Sequence, residues 1–282
     1  MPHPVFQTRD GRLALSVFGP EDGRPIVFLH GGGQTRHAWS RSASLLGERG
    51  WRAIAADLRG HGDSDWTGKY LLADFAGDVV ELAHAQREKP VLVGASLGGL
   101  SSLLANATEA GEVSRGLVLV DIAPRVNMAG VDRILGFMAA HPGGFSSQEE
   151  AAGFVAAYQP QRAQKSDPGG LRKNLRQHDD GRWYWHWDPA MLATFLKAWE
   201  DKSEGKVRAD EERFYAAAEK LTQPVLLVRG TQSDVVDESI TRDFCARIPQ
   251  ARVADVSGAG HMVAGDRNDV FLEVVSGFIE GI

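Results

Sequence analysis

Short apolar runs and longer amphipathic stretches alternate along most of this chain, with one interruption. Val5 to Thr8 and Arg12 to Phe18, separated by Asp10-Gly11, have the pattern of a β-hairpin. Pro25-Ile26-Val27-Phe28-Leu29 is a continuous apolar run, as expected of a strand buried on both faces, and it ends in His30-Gly31-Gly32-Gly33. A helix is predicted from Ala38 to Arg49, stopped by Gly50, then a strand from Trp51 to Asp57. Between Leu71 and Gln86, Leu71, Phe75, Val79 and Leu82 share one helical face and Asp74, Asp78 and Glu81 the other. Val91-Leu92-Val93 and Gly116 to Ile122 are two more strand-like runs. From about Pro124 to Leu221 no such run occurs. That span holds helical stretches, the tryptophan-rich segment Gly181 to Pro189, and a polar stretch from Asp201 to Glu212. Alternation returns with a strand at Pro224 to Gly230, a helix near Glu238 to Arg247, a strand at Arg252 to Val256 and a helix from Asp269 to Ile279.

Repeated strand–helix units with wholly apolar strands predict an α/β fold built on a mostly parallel sheet covered on both faces. Residues 1–123 and 222–282 are expected to form its core, and residues 124–221 a helical insertion over the carboxyl edge of the sheet. Trp183, Trp185 and Trp187 alternate with Tyr184 and His186, which suits an extended segment with one face turned inward.

Composition narrows the function. The formal net charge of −6 over 282 residues is the opposite of the basic stripe that nucleic acid requires. No run of about 20 apolar residues is present to cross a membrane. The start, Met1-Pro2-His3-Pro4, lacks a charged region followed by an apolar stretch, so no secretory signal is expected. The lone Cys245 cannot form an internal disulfide, and a cytoplasmic setting is the simplest expectation.

The chemistry-bearing stretch is Gly94-Ala95-Ser96-Leu97-Gly98, set between a predicted strand and a predicted helix. In that context a serine sits at the tip of a sharp turn, beside the positive end of the helix. A bare serine is a weak nucleophile and needs a base and an anion trap. His261, on the loop Gly258-Ala259-Gly260-His261 beyond the last strand, is the candidate base. Asp234, on the loop after the Pro224 to Gly230 strand, is the expected carboxylate behind it, because chain order and loop position favour it. Asp237 on the same loop and Asp121 at the end of an earlier strand compete for that role. The glycine loop His30 to Gly33, together with the Leu97 N–H, supplies candidate oxyanion donors. No His-Glu-x-x-His or similar metal pattern occurs, and no dinucleotide or P-loop fingerprint, so neither a metal nor an organic cofactor is expected.

These segments resemble the α/β-hydrolase superfamily, in its lid-bearing branch of esterases, lactonases and cofactor-free haloperoxidase-like enzymes. The resemblance rests on His30-Gly31-Gly32 with Trp39 downstream, Asp57-Leu58-Arg59-Gly60-His61-Gly62-Asp63-Ser64, Gly94 to Gly99, the Asp234 loop and Gly258 to His261. It implies an α/β-hydrolase fold with an eight-stranded, mostly parallel sheet and a helical cap inserted after the sixth strand. It also implies a triad of Ser96, His261 and Asp234, with oxyanion donors at Leu97 and at Gly32 or Gly33. The expected activity is hydrolysis of small carboxylic esters or lactones through an acyl-enzyme on Ser96, by a monomer or homodimer. The same machinery serves amide, carbon–carbon, thioester and perhydrolysis chemistry, and some proteins of this fold are non-enzymatic receptors. Candidate pocket residues are His37, Phe137, Met138, Trp185, Trp187 and Phe195.

Overall fold

The computed structural model describes residues 3–107, 111–158, 168–201, 203–266 and 268–282. Among the described residues there are ten strands. They are β1 (Val5–Gln7), β2 (Arg12–Phe18), β3 (Arg24–Leu29), β4 (Trp51–Ala56), β5 (Val91–Ala95), β6 (Gly116–Val120), β7 (Leu175–Gln177), β8 (Trp183–Trp185), β9 (Val225–Gly230) and β10 (Ala251–Val256). Eight of them form one sheet in the order β1-β2-β4-β3-β5-β6-β9-β10. β1 with β2 and β2 with β4 pair antiparallel, and every other neighbouring pair in this sheet is parallel. The strands that the apolar runs predict are therefore the strands that form. β3, β5, β6 and β9 lie at the centre, where Val27, Phe28, Val93, Leu119 and Leu227 lose all exposure.

Helices cover both faces. α1 (Ser40–Glu48) and α11 (Asn268–Ile279) pack together on one, and α2 (Leu72–His84) and α3 (Leu97–Asn106) on the other. α9 (Glu238–Arg247) spans the predicted residues, its first turn capped by the Asp237 carboxylate, which accepts from the Ile240 N–H at 2.9 Å.

Between β6 and β9 the chain leaves the sheet. This insertion holds α4 (Met128–Ala139), α5 (Gln148–Tyr158), α6 (Pro168–Leu171), α7 (Pro189–Glu200) and α8 (Glu204–Ala218), with α10 (Val263–Asp266) coming later beside His261. It is not wholly helical: β7 and β8 form an antiparallel hairpin, Leu175 opposite Trp185 and Gln177 opposite Trp183. The tryptophan-rich segment is thus extended, as its alternation predicts, but only to Trp185. Beyond it the chain turns inward and His186 and Trp187 are both buried. The polar stretch after Asp201 falls largely on α8, whose C-terminal part carries the buried Tyr215 and Ala218. Phe145, Ala151, Ala152, Leu171 and Leu175 give the insertion a small apolar cluster of its own. Among the described residues no helix is long and apolar enough to cross a membrane.

Two buried ion pairs fix the loop that follows β4. Arg36, with no exposed surface, binds Asp57 with its guanidinium and donates its backbone N–H to the same carboxylate at 2.6 Å. Arg59 grips Asp78 of α2 in a two-bond fork, both contacts 2.7 Å. A desolvated pair stabilises only while both partners remain. Arg59→Ala, which leaves Asp78 buried and unpaired, is expected to cost about 3–5 kcal/mol in urea unfolding, and Arg59→Met combined with Asp78→Leu to recover most of it.

Candidate active site

Ser96 stands between β5 and α3 with φ 46° and ψ −114°, a strained conformation for a residue with a side chain. The turn is so tight that glycine is obligatory around it. A Cβ on Gly94 would lie 2.5 Å from the Gly98 carbonyl carbon, and one on Gly98 2.4 Å from the Leu29 oxygen. Sequence spacing and geometry agree here: the glycines permit the bend, and the bend exposes Ser96 at the carboxyl edge of the sheet.

His261 follows β10, and its Nδ1 lies 2.7 Å from a carboxylate oxygen of Asp121. The expected partner, Asp234, is elsewhere. It forms an ion pair with Arg133 of α4, on the insertion. Asp237 is occupied as the cap of α9. Topology explains the outcome. β6 lies beside β9 in the sheet, so a residue directly beyond its last position is carried to the region reached by the β10 loop. Asp121 occupies that position, whereas Asp234 lies farther along a loop that bends toward the insertion. Asp121 has φ 50° and no solvent exposure. Its carboxylate also accepts from the Gly230 N–H at 3.1 Å and from the Ser233 hydroxyl at 2.5 Å. Because an ionised carboxylate only accepts, the Nδ1 of His261 is the protonated nitrogen, which leaves Nε2 free to act as a base.

The glycine loop sorts its own donors. The Gly31 N–H donates to the Gln34 side chain at 3.1 Å, and the Gly33 N–H to His61 Nε2 at 3.2 Å. The Gly98 N–H donates to the His30 carbonyl at 3.2 Å. Among the described residues, the Gly32 and Leu97 N–H groups have no protein partner, and both residues line the cavity that Ser96 lines.

That cavity measures about 640 Å³. Ser96, Leu97 and Gly32 lie at one end, Leu100 and Leu104 of α3 along a wall, and Leu135, Met138 and Phe195 of the insertion across it. Of the pocket candidates, Met138 and Phe195 therefore line it. Phe137 and Trp185 do not: Phe137 stacks on Phe154 and packs on Trp185, inside the insertion. Trp187 is buried against Trp185, ring centroids 4.9 Å apart. Phe137 and Trp185 thus serve the insertion's packing, whereas Trp187 joins the core beneath it and lies against Gly33. His37 instead lines a second cavity of about 320 Å³ that His261 also lines, together with Gln34, Thr35, Lys173 and Asn174.

Three further histidines surround the site, and nothing in their spacing along the chain groups them. His30 and His61 have no exposure and His186 is 1% exposed. Nδ1 of His30 donates to the Gly31 carbonyl and its Nε2 accepts from the Leu58 N–H. Nδ1 of His61 donates to the Arg59 carbonyl while Nε2 accepts from Gly33. Each ring thus faces a backbone donor and a backbone acceptor, an arrangement that only a neutral imidazole satisfies. Burial is the main cause that holds His30 down at about 4, His61 at about 3 and His186 well below the usual histidine value. Among the described residues no group of three or more His, Cys, Asp or Glu is arranged to hold a metal ion.

Comparison with known proteins places these features in context. Residues 26–274 match the profile of the Alpha/beta hydrolase family. The chain is 31% identical to esterase Rv0045c of Mycobacterium tuberculosis, across 98% of this chain and 89% of that one. It is 27% identical to 3-hydroxybutyrate-oligomer hydrolase of Cupriavidus necator, across 89% and 87% respectively. Its fold superposes on the crystal structure of E-2-(acetamidomethylene)succinate hydrolase with a TM-score of 0.82 at 23% identity, covering 99% of this chain and 98% of that one.

The neutral histidines link stability to pH. Their folded-state values lie below the unfolded value near 6.5, so the unfolded chain binds more protons as the pH falls. Their contribution is complete above about pH 6.5 and is lost as the pH drops through about 4 for His30 and about 3 for His61. Unfolding free energy measured against pH near pH 5 should show uptake of about two or more protons. A flat profile between pH 6.5 and 4.5 would contradict uncharged histidines.

Proposed function

This chain belongs to the alpha/beta hydrolase family, and we propose that within it the protein is a serine hydrolase of carboxylic esters, linear or cyclic. The observation that carries this reading is the 2.7 Å hydrogen bond from His261 to the buried Asp121, at the same sheet edge as the strained Ser96 turn. The relatives named as esterase and hydrolase agree with it.

Ser96 Oγ attacks the ester carbonyl carbon while His261 Nε2 accepts its proton. Asp121 holds the imidazole by Nδ1 and stabilises the imidazolium that forms. The carbonyl oxygen, now anionic, takes the N–H groups of Leu97 and Gly32, the two backbone donors at this end of the cavity left without a protein partner. Collapse breaks the bond to the leaving oxygen, which receives the proton from His261. Water, deprotonated by the same His261, then attacks the acyl-enzyme and releases the acid. Of the two candidate glycines, Gly32 is the donor, because the Gly33 N–H is held by His61.

Substrate preference follows from the walls. The acyl group takes the larger cavity, bounded by Leu100, Leu104, Leu135, Met138 and Phe195. The leaving alcohol must reach His261, so it lies toward the smaller cavity, where Gln34, Thr35, His37, Lys173 and Asn174 offer polar groups. Residues 124–221 act as the lid, since their side chains close the acyl cavity.

Ser96→Ala should lower kcat on p-nitrophenyl hexanoate by at least about 10³-fold. Retained hydrolysis would end the reading. Asp121→Asn should lose about 10³–10⁴-fold, as expected when the orienting carboxylate becomes an amide. Asp234→Asn should stay within about tenfold of the parent, because its carboxylate is paired with Arg133. The reverse ranking of the two aspartates would restore Asp234 to the triad.

A further inference from the structure

The reaction above makes no use of His186, yet this residue of the insertion reaches the glycine loop through polar contacts. Its Nδ1 accepts from the Gly62 N–H at 2.7 Å, and its Nε2 lies 3.4 Å from the Gly33 carbonyl. Because Nδ1 faces a donor, the proton sits on Nε2 and points at that carbonyl. Gly33 is consequently held on both sides, its N–H by His61 and its C=O by His186. The two rings lie 5.9 Å apart, and His30 packs edge-on against His61 at 4.9 Å. The segment is anchored next door as well. The Asp188 N–H donates to the Gly60 carbonyl at 2.8 Å, and the Asp188 carboxylate accepts from the Tyr70 hydroxyl.

Three consecutive glycines give this loop the greatest backbone freedom a chain can have. Gly33 sits at φ +74°, a conformation that glycine reaches without strain but also leaves easily. The loop carries the N–H assigned to the oxyanion, so its order must come from outside: the Gln34 side chain holds the Gly31 N–H, and two imidazoles hold Gly33.

We infer that His186 is a positioning residue for the oxyanion hole, holding Gly33 so that the neighbouring Gly32 N–H is kept in place for the developing anion. This inference rests on the serine-hydrolase reading. It adds that the insertion, through one side chain, completes the catalytic machinery of the sheet domain. Burial keeps the ring uncharged at neutral pH, which preserves Nδ1 as the acceptor for Gly62.

The test uses two variants of the full-length chain. His186→Phe fills the space of the ring and removes both hydrogen bonds. His186→Asn keeps an acceptor near the Nδ1 position for Gly62 and removes the donor to Gly33. Removing an oxyanion donor outright costs about 10²–10³-fold in kcat, so a displaced donor should cost about 10–100-fold. Both variants are expected to lose that factor in kcat on p-nitrophenyl hexanoate with KM within about threefold, and to weaken binding of an alkylboronic acid, which mimics the tetrahedral state, by a similar factor. His186→Gln, whose longer amide regains a donor toward Gly33, should recover most of the loss. If a folded His186→Asn keeps its kcat within about twofold, or loses kcat with boronic-acid affinity unchanged, the proposal is overturned. A second readout is independent of turnover: amide hydrogen exchange at Gly33, whose N–H is bonded to His61, should speed up about tenfold or more in His186→Asn. Unchanged exchange also overturns the proposal. Faster exchange in a protein that hydrolyses no ester supports the clamp and refutes the serine-hydrolase reading instead.

Discussion

A carboxylate removed from water must be surrounded by donors, because its desolvation is otherwise far too costly. At Asp121 those donors come from three places: the N–H of Gly230 at the end of β9, the Ser233 hydroxyl, and the ring of His261. The requirement to satisfy one buried charge therefore fixes the loop after β9 and the loop after β10 relative to the end of β6. It also fixes the tautomer of His261, since only a protonated Nδ1 can serve an acceptor. Packing and electrostatics cooperate here, for the apolar strands that bury Asp121 are also what makes each of its hydrogen bonds strong.

The same logic, with the charge absent, runs through the other side of the site. His30, His61 and His186 are buried where an imidazolium would face a backbone N–H, so they remain neutral and act as bifunctional connectors between backbone groups. Their partners lie in two turns that both carry glycines, Gly31–Gly33 and Leu58–Gly62. Glycine lets those turns approach the reacting centre closely, and the rings supply the order that glycine lacks. Arg36 and Arg59 do comparable work one layer farther out, tying the loop after β4 to its neighbours through desolvated pairs.

Much of this was legible beforehand. The apolar runs Pro25–Leu29, Val91–Val93 and Val225–Val228 are strands because a central parallel strand buries three to five consecutive β-branched and apolar residues on both faces. Ser96 and His261 stand out as candidates because a serine between two crowded glycines, or a histidine on a glycine loop after a strand, is a local arrangement that sequence records. The insertion was legible as a break in rhythm and β8 as an alternation of aromatics, although the pairing of β8 with β7 was not, since a strand of three residues such as β7 leaves little periodicity to detect. The pocket candidates divided along the same line. Met138 and Phe195 line the cavity, while Phe137 and Trp185 turn into the insertion and Trp187 into the core below it, and an aromatic stripe alone does not say which side is inward.

The sequence by itself determined the strand–helix alternation, the strained serine turn and the order of serine, carboxylate and histidine along the chain. It did not determine which carboxylate, because Asp121, Asp234 and Asp237 all lie between Ser96 and His261 and all follow strands. That choice was made by strand order: placing β6 beside β9 brings the residue just past β6 under the imidazole, while the β9 loop carries Asp234 outward to Arg133. His186 was likewise invisible until folding, since a contact across 153 residues to a glycine carbonyl leaves no mark in local spacing. Periodicity and turn chemistry are properties of neighbours in sequence; hydrogen bonds between distant loops are properties of a sheet already assembled.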